Sequence, residues 1–326
     1  MKLSWIALRR RLLYGGFTLA AFVLSLRWTF PAEEVRERLM LEAGARGWQV
    51  DARRVRPGPG ILPGVRLEGL TLGDGAELSI PIERLDASIE LLPLLAARRV
   101  LHFDAAVFGG TVEGSATLSG SAQRLVLEVA GLELARVAPL RKSTGVDLGG
   151  TLSGSVDLTV PAGAQEKASG RIALSVAKAA ISGGQVPVPQ LAGNLALPPV
   201  ALGAVATAVQ VGDGRAAVER LEARGGDVEI STEALSVALQ PRLEFAPVTG
   251  RARLRVQPAL WQKPAAAKLR PVAEAALAPA RGPDGAYQFQ ISGALGHPQF
   301  RPAAPAGAAP PPPAAAPPAP PPTSAD

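Results

Sequence analysis

The 326-residue sequence has no cysteine, only two histidines and two tyrosines, and 4% aromatic residues in all. Without thiolates there is no disulfide framework, no cysteine-ligated zinc or iron–sulfur centre and no cysteine nucleophile. Histidine chemistry is confined to His102 and His297. So few rings provide no platform for stacked bases, and the arginines behind the net charge of +6 are scattered, apart from Arg9, Arg10, Arg11 and Arg53, Arg54, Arg56. No nucleic-acid partner is expected. With 47% hydrophobic residues and little aromatic volume, Ala, Leu and Val must supply any core.

Motifs of catalysis and cofactor binding are missing as well. There is no Gly-x-Ser-x-Gly elbow, no Walker loop, no dinucleotide fingerprint and no His-Glu-x-x-His helix. His102 and Asp104 alternate with Leu101 and Phe103, which reads as the polar face of a strand and not as a Ser-His-Asp arrangement. His297, between Gly296 and Pro298, reads as a loop residue. Gly73-Asp74-Gly75 and Gly212-Asp213-Gly214 read as turns and not as calcium loops. No catalytic, cofactor-binding or metal-ligating residue is expected, and the chain reads as a non-enzyme.

What the sequence does contain begins with a signal anchor. Residues 1–11 are basic, and from Leu12 to Leu26 the chain carries no charge. Arg27 can snorkel and Trp28 and Phe30 supply interfacial rings, so residues 12–30 are predicted to form a transmembrane helix. The bulky Ser25 to Pro31 stretch offers no small-residue cleavage site. Positive charge ahead of the span places residues 1–11 in the cytoplasm and residues 31–301 in the periplasm.

A short helix is predicted for Ala32 to Ala45, where Val35, Leu39 and Ala43 fall at helical spacing and Gly44 and Gly47 end it. From Trp48 the apolar period becomes two. Val112, Gly114, Ala116 and Leu118 alternate with Glu113, Ser115 and Thr117, and Leu152, Gly154, Val156 and Leu158 alternate with Ser153, Ser155 and Asp157. Such alternation predicts half-buried antiparallel strands. Gly212-Asp213-Gly214 and Gly282-Pro283-Asp284-Gly285 have hairpin-turn chemistry, Leu91 to Leu95 suggests a short helical turn, and the apolar phase flips between Ile230 and Leu235, predicting a bulge or tight turn. The string Gly109 to Ser115 is echoed at Gly149 to Ser155, which fits a hairpin unit laid down repeatedly. Residues 302–326 are almost entirely Pro and Ala and are predicted to form a disordered, polyproline-like tail.

Several of these strings in their order resemble a known family, the type II secretion system protein N of the delta-proteobacterial GspN kind, itself similar to AsmA-like envelope proteins. They include Leu62 to Leu70 (Leu-Pro-Gly-Val-Arg-Leu-Glu-Gly-Leu), Leu92-Pro93-Leu94-Leu95, Phe103 to Thr111, Leu134-Ala135-Arg136-Val137, Gly150 to Gly154, Gly212 to Ala216 and Tyr287 to Pro302. The resemblance implies a bitopic inner-membrane protein with an elongated, curved antiparallel sheet in the periplasm. It implies an accessory role in type II protein secretion, with other inner-membrane components of that system as partners. Its AsmA-like side implies an alternative, binding or transport of phospholipid or another hydrophobic substrate in an apolar groove. The family carries over no catalytic residues and no cofactor, and the Pro/Ala tail lies outside the resemblance.

Overall fold

The period-two pattern is realised in one long antiparallel sheet. The computed structural model describes Ser25 and residues 30–303, other than 46, 60–62, 74–78, 92, 94–97, 139, 142–144 and 189–192. Helix α1 (Ala32–Gly44) comes first. The strands follow: β1 (Gln49–Pro57), β2 (Gly64–Gly73), β3 (Ser79–Ile89), β4 (Arg99–Val107) and β5 (Gly110–Leu118). Next are β6 (Ala122–Glu133), β7 (Val146–Pro161), β8 (Ser169–Val188), β9 (Gly193–Ala196) and β10 (Val200–Gly212). The series closes with β11 (Arg215–Arg224), β12 (Val228–Ala238), β13 (Val248–Val256), β14 (Tyr287–Ala294) and β15 (His297–Pro302). Two short helices, α2 (Pro264–Ala267) and α3 (Arg270–Leu277), lie in the β13–β14 connection.

Each strand pairs antiparallel with the next, in the order β1 to β8 and then β10 to β15. Strand β9 pairs with the end of β8 that lies beyond β10, so β9 and β10 run along the same edge of β8. Leu197, Pro198 and Pro199 separate them. Two successive prolines have no N–H to give a ladder, which explains the interruption. The path ends at β1 and β15, which do not pair with each other, so the sheet does not close.

Several expectations are met. The hairpin turn at Asp213 and Gly214 has positive φ at both residues (50° and 72°), the geometry that favours a right-twisted two-residue hairpin. The phase flip is a bulge, with Ala234 at φ 51° and a register shift between Glu233 and Ser236. The two echoed strings lie in β5 and β7, two strands apart, and present Val112 with Gly114 and Leu152 with Gly154 to the same side. Helix α1 spans Ala32–Gly44 as expected, yet it buries none of its residues and leaves Leu39, Met40 and Leu41 exposed. One reading is corrected: His297 is not in a loop but opens β15, paired with Ala294 after the Leu295–Gly296 turn. The predicted span at 12–30 lies outside the described residues except Ser25 and Phe30, and the predicted tail does so from residue 304. Among the described residues no helix is long and apolar enough to cross a membrane. The predicted Leu91 to Leu95 turn also falls largely outside them.

Register places the apolar residues of all these strands on one side. Val55, Leu67, Leu85, Ala105, Val112 and Val129 are successive direct partners across β1 to β6. Leu127, Val156, Ile172, Val209 and Val218 continue the series from β6 to β11. Leu235, Val237 and Val248 carry it into β12 and β13, and Leu254 meets Tyr287 of β14. Because a one-residue slip would turn every such side chain over, the unbroken match fixes the register of the sheet.

Four of the bulges sit a few residues inside the end at which β1 begins, while those at Ala208/Val209 and Glu233/Ser236 lie further along their strands. The register slips at Ile82/Arg84, Val129/Leu132, Gly149/Thr151 and Ala201/Gly203. Each adds an unpaired residue and increases local twist. Around the first of them lies the main core: Ala52, Leu67, Leu70, Ile82, Ala105 and Val107, with Phe108, Val112 and Leu132 packed against it.

Candidate functional site

Two surfaces of opposite character result from the alternation. On the apolar side the central strands stay half-buried. Leu125, Leu127, Val156, Leu158, Ile172, Leu174 and Val205 all retain solvent exposure. Among the described residues the main helix–strand contacts are those of α1 with β1, of the Leu134–Arg136 turn with β7 and of the Ala278–Ala280 turn with β14 and β15, so no α-helix or second sheet forms a layer over the centre of β4 to β11. Half-exposure is therefore what a single layer dictates. Glycines belong to this surface too. Gly114 faces Phe103 directly, and a Cβ there would come within 2.8 Å of the Phe103 ring. The missing side chain lets the ring lie across the strand, so the surface is smooth as well as apolar.

The polar side carries ion pairs between adjacent strands. Arg66 grips Asp86 with both arms, Nε to Oδ1 at 2.5 Å and Nη2 to Oδ2 at 2.8 Å. That hydrogen bond, opposed by desolvation and aided by the Asp86 charge, raises the Arg66 pKa. Arg124 holds Asp157 in the same two-armed way at 3.1 and 2.8 Å. The hydrogen bond and the guanidinium charge outweigh desolvation and lower the Asp157 carboxyl below the usual range.

Between these pairs, four carboxylates face one another across four strands: Asp86 opposite Asp104, Asp104 opposite Glu113, Glu113 opposite Glu128. Arg84 reaches Asp104 at 3.3 Å, whereas Glu113 and Glu128 have no cationic partner among the described residues. A shallow depression of about 430 Å³ lies over this row, lined by Asp86, His102, Asp104, Glu113, Ser115 and Glu128. Further along, Arg251, Arg253 and Arg255 alternate on β13, and Arg253 pairs with Asp284. The polar side is thus acid-rich over β3 to β7, whereas over β11 to β15 its arginines face carboxylates, Arg251 opposite Glu233 and Arg255 opposite Glu229.

His102 lies on β4 with Asp104, as its alternation predicts, and its Nε2 is 2.6 Å from Glu90 Oε1. Ser88 and Ser115 are its direct neighbours on either side. Neither serine hydrogen-bonds the ring among the described contacts, and both belong to regular strands, not to the sharp turn a serine nucleophile uses. Among the described residues no group of three or more His, Asp or Glu side chains is placed to hold a metal ion.

One buried charge escaped the sequence reading. Asp227 is 8% exposed and follows the Gly225–Gly226 turn between β11 and β12. Its Oδ2 accepts the Ala201 N–H at 2.7 Å and the Lys263 ammonium at 2.5 Å. Its own N–H donates to the Ala201 carbonyl at 2.7 Å, and its carbonyl accepts the Gln257 N–H at 2.8 Å. Burial alone raises the carboxyl, but Lys263 and the Ala201 amide outweigh it and the net pKa is lowered. The residue ties β10, the β11–β12 turn, the end of β13 and the segment leading to α2 into one knot. The only sequence signal was an aspartate after paired glycines, indistinguishable from an ordinary turn.

Comparison with known protein families, with curated proteins and with solved structures finds no match for this chain.

Proposed function

We propose that this is a non-enzymatic envelope protein whose open apolar sheet side binds the acyl chains of phospholipid or a comparably hydrophobic substrate. The observation that carries the reading is the apolar side itself, continuous across fourteen strands and without a second layer over its central part. At about 4.8 Å per strand this side extends for roughly 60 Å measured along the sheet. Soluble monomers seldom expose contiguous apolar patches beyond a few hundred Å². A bound apolar ligand removes that cost, and smooth rows of Val, Leu and Gly suit flexible chains better than a shaped polar ligand. In this reading residues 12–30 anchor the chain in the inner membrane, residues 1–11 are cytoplasmic, the sheet is periplasmic, and the AsmA-like side of the resemblance supports the role.

Lipid analysis of the intact protein tests the proposal. Full-length chain isolated from its membranes in mild detergent is expected to retain phospholipid by native mass spectrometry. Paired Val156→Arg and Val209→Arg substitutions, at the centre of the apolar side, are expected to abolish retention. A folded wild-type protein that carries none overturns the reading.

A second reading, an accessory of the type II secretion system, is favoured by the row of carboxylates Asp86, Asp104, Glu113 and Glu128 on the polar side, which suits contact with a basic protein surface. Deletion of the gene tests it: exoproteins trapped in the periplasm support secretion. Normal secretion with a detergent-sensitive outer membrane supports lipid handling.

A further inference from the structure

Exposed large apolar residues are expected on the open sheet side, but five of them lie in loops or turns, Trp48, Leu91, Leu243, Phe245 and Leu295, and the last three fall on two adjoining loops. The β12–β13 connection runs from Leu239 to Pro247 and contains a 3-10 turn, Leu243–Phe245. Leu243 is 55% exposed and Phe245 58%. The β14–β15 turn beside it presents Leu295, 44% exposed. Among the other turns at this end of the sheet, Ser119-Gly120-Ser121, Ala162-Gly163-Ala164 and Asp213-Gly214 are small or polar, while the β3–β4 connection, at the far side of the strand order, carries Leu91, also 55% exposed.

These two loops are stitched into one unit. The Leu295 N–H donates to the Ala246 carbonyl at 2.8 Å, and the Gly296 N–H to the Glu244 carbonyl at 2.9 Å. Within the longer loop the Phe245 and Ala246 N–H groups bond to Arg242 and Leu243, and the Leu239 N–H bonds to Gly214. Ala246 is wholly buried beneath them. The Leu239, Phe245, Ala246, Leu295 and Gly296 amides are therefore paired within the protein, while those of Gln240, Arg242, Leu243 and Glu244 are left to water or lipid headgroups, which limits any insertion to a shallow depth.

We infer that the paired loops bearing Leu243, Phe245 and Leu295 form a tip that inserts shallowly into the surface of a phospholipid bilayer. Three half-exposed side chains offer on the order of 300 Å². A stable protein interface buries roughly 800 Å² per partner, so area argues against a second copy or a folded protein as the occupant. Nearby charges balance, Arg215 and Arg242 against Asp213 and Glu244. Insertion is therefore driven by apolar contact and depends little on salt or on anionic lipid. The tip lies at the strand ends opposite those where α1 enters, and at the far end of the strand order from β1. A chain held at its N-terminus would thus touch a bilayer with its last hairpins. This inference stands apart from the lipid-binding reading, because a tip can insert whether or not the sheet carries a ligand.

The absence of native cysteine makes the test direct. Full-length protein bearing Phe245→Cys, labelled with an environment-sensitive dye and held in nanodiscs, is mixed with vesicles of phosphatidylethanolamine and phosphatidylglycerol. The expected result is a blue shift that persists in molar salt and is quenched by nitroxide-bearing lipid. The same dye on Ser121→Cys should stay water-like. Adding Leu243→Asp and Leu295→Asp should weaken vesicle partitioning by at least about tenfold, with unchanged circular dichroism. A water-like signal at position 245 with vesicles in excess overturns the inference. So does a blue shift that needs no vesicles and grows with protein concentration, which would assign the tip to self-association. Phospholipid retention on the sheet, read by mass spectrometry, should be the same in tip variants and wild type, so failure of one idea is distinguishable from failure of the other.

Discussion

Strands β2 to β4 and strands β6 to β10 share one sequence pattern but are stabilised differently. In the first region the apolar residues are buried, with Leu70 2%, Leu67 5% and Val107 7% exposed. In the second, residues of the same phase such as Leu127, Ile172 and Val205 stay half-buried. Alternation decides which side a residue faces; it does not decide what lies on that side. In the first region the bulge at Ile82/Arg84 gathers Leu70, Ile82 and Val107 with Phe108 and Leu132 into a core. In the second, cohesion comes from ladder hydrogen bonds and the polar-side ion pairs.

That contrast can be broken by substitution. The largest effect is expected at Leu70→Ala, which empties a closed site and should cost about 3–4 kcal/mol. Leu127→Ala, half open to solvent, should cost less than about 1.5 kcal/mol, and chemical denaturation of both variants reads the difference. Equal costs would mean that the central strands are covered in solution.

A backbone test follows at Gly203, which has φ +75° and where a Cβ would lie 2.2 Å from the Arg224 carbonyl oxygen. Gly203→Ala should cost about 2–3 kcal/mol, more than Ile172→Val in the neighbouring strand at about 1 kcal/mol. Thermal unfolding ranks the pair, and the reverse order would assign the stability of the central strands to their side chains.

At the Asp227 knot, Asp227→Asn should cost about 2 kcal/mol at neutral pH. Its folded pKa is lowered, so its contribution is complete above the unfolded value of about 3.9 and fades as pH falls through the folded value. Denaturation midpoints of wild type and variant should therefore converge in acid; a constant gap down to pH 2 would count against the ionised pair with Lys263.

The smallest effect is expected on the polar side. Glu113 faces both Asp104 and Glu128, so Glu113→Gln should stabilise by up to about 0.5 kcal/mol. The gain should shrink with added salt.

Strand phase, the turn at Asp213 and Gly214 and the bulge near Ala234 were legible because each rests on local chemistry: side-chain alternation, positive φ, a two-residue phase flip. His297 was misread because glycine and proline neighbours resemble a loop. Yet Leu295–Gly296 makes the turn in two residues, and the strand pairs at once. Asp227 was invisible because its partners, Ala201 and Lys263, lie 26 and 36 residues away. The paired loops at Leu243 and Leu295 were missed for the same reason: each looks unremarkable until the Leu295 and Gly296 amides join them. The candidate lipid-binding side was only half legible. Its apolar phase could be counted along the chain, but whether α1 or a second layer covered it depended on contacts that periodicity does not encode.

The next-neighbour strand order has a consequence for how the chain acquires its structure. Apart from the β9 detour and the helical connection between β13 and β14, no strand waits for a partner made much later. Loop-closure entropy is therefore paid in small instalments, one hairpin at a time. Such a protein can assemble as a growing ladder while its later residues are still being synthesised. Its most vulnerable moment comes at each newly exposed edge, until the following strand arrives and removes it.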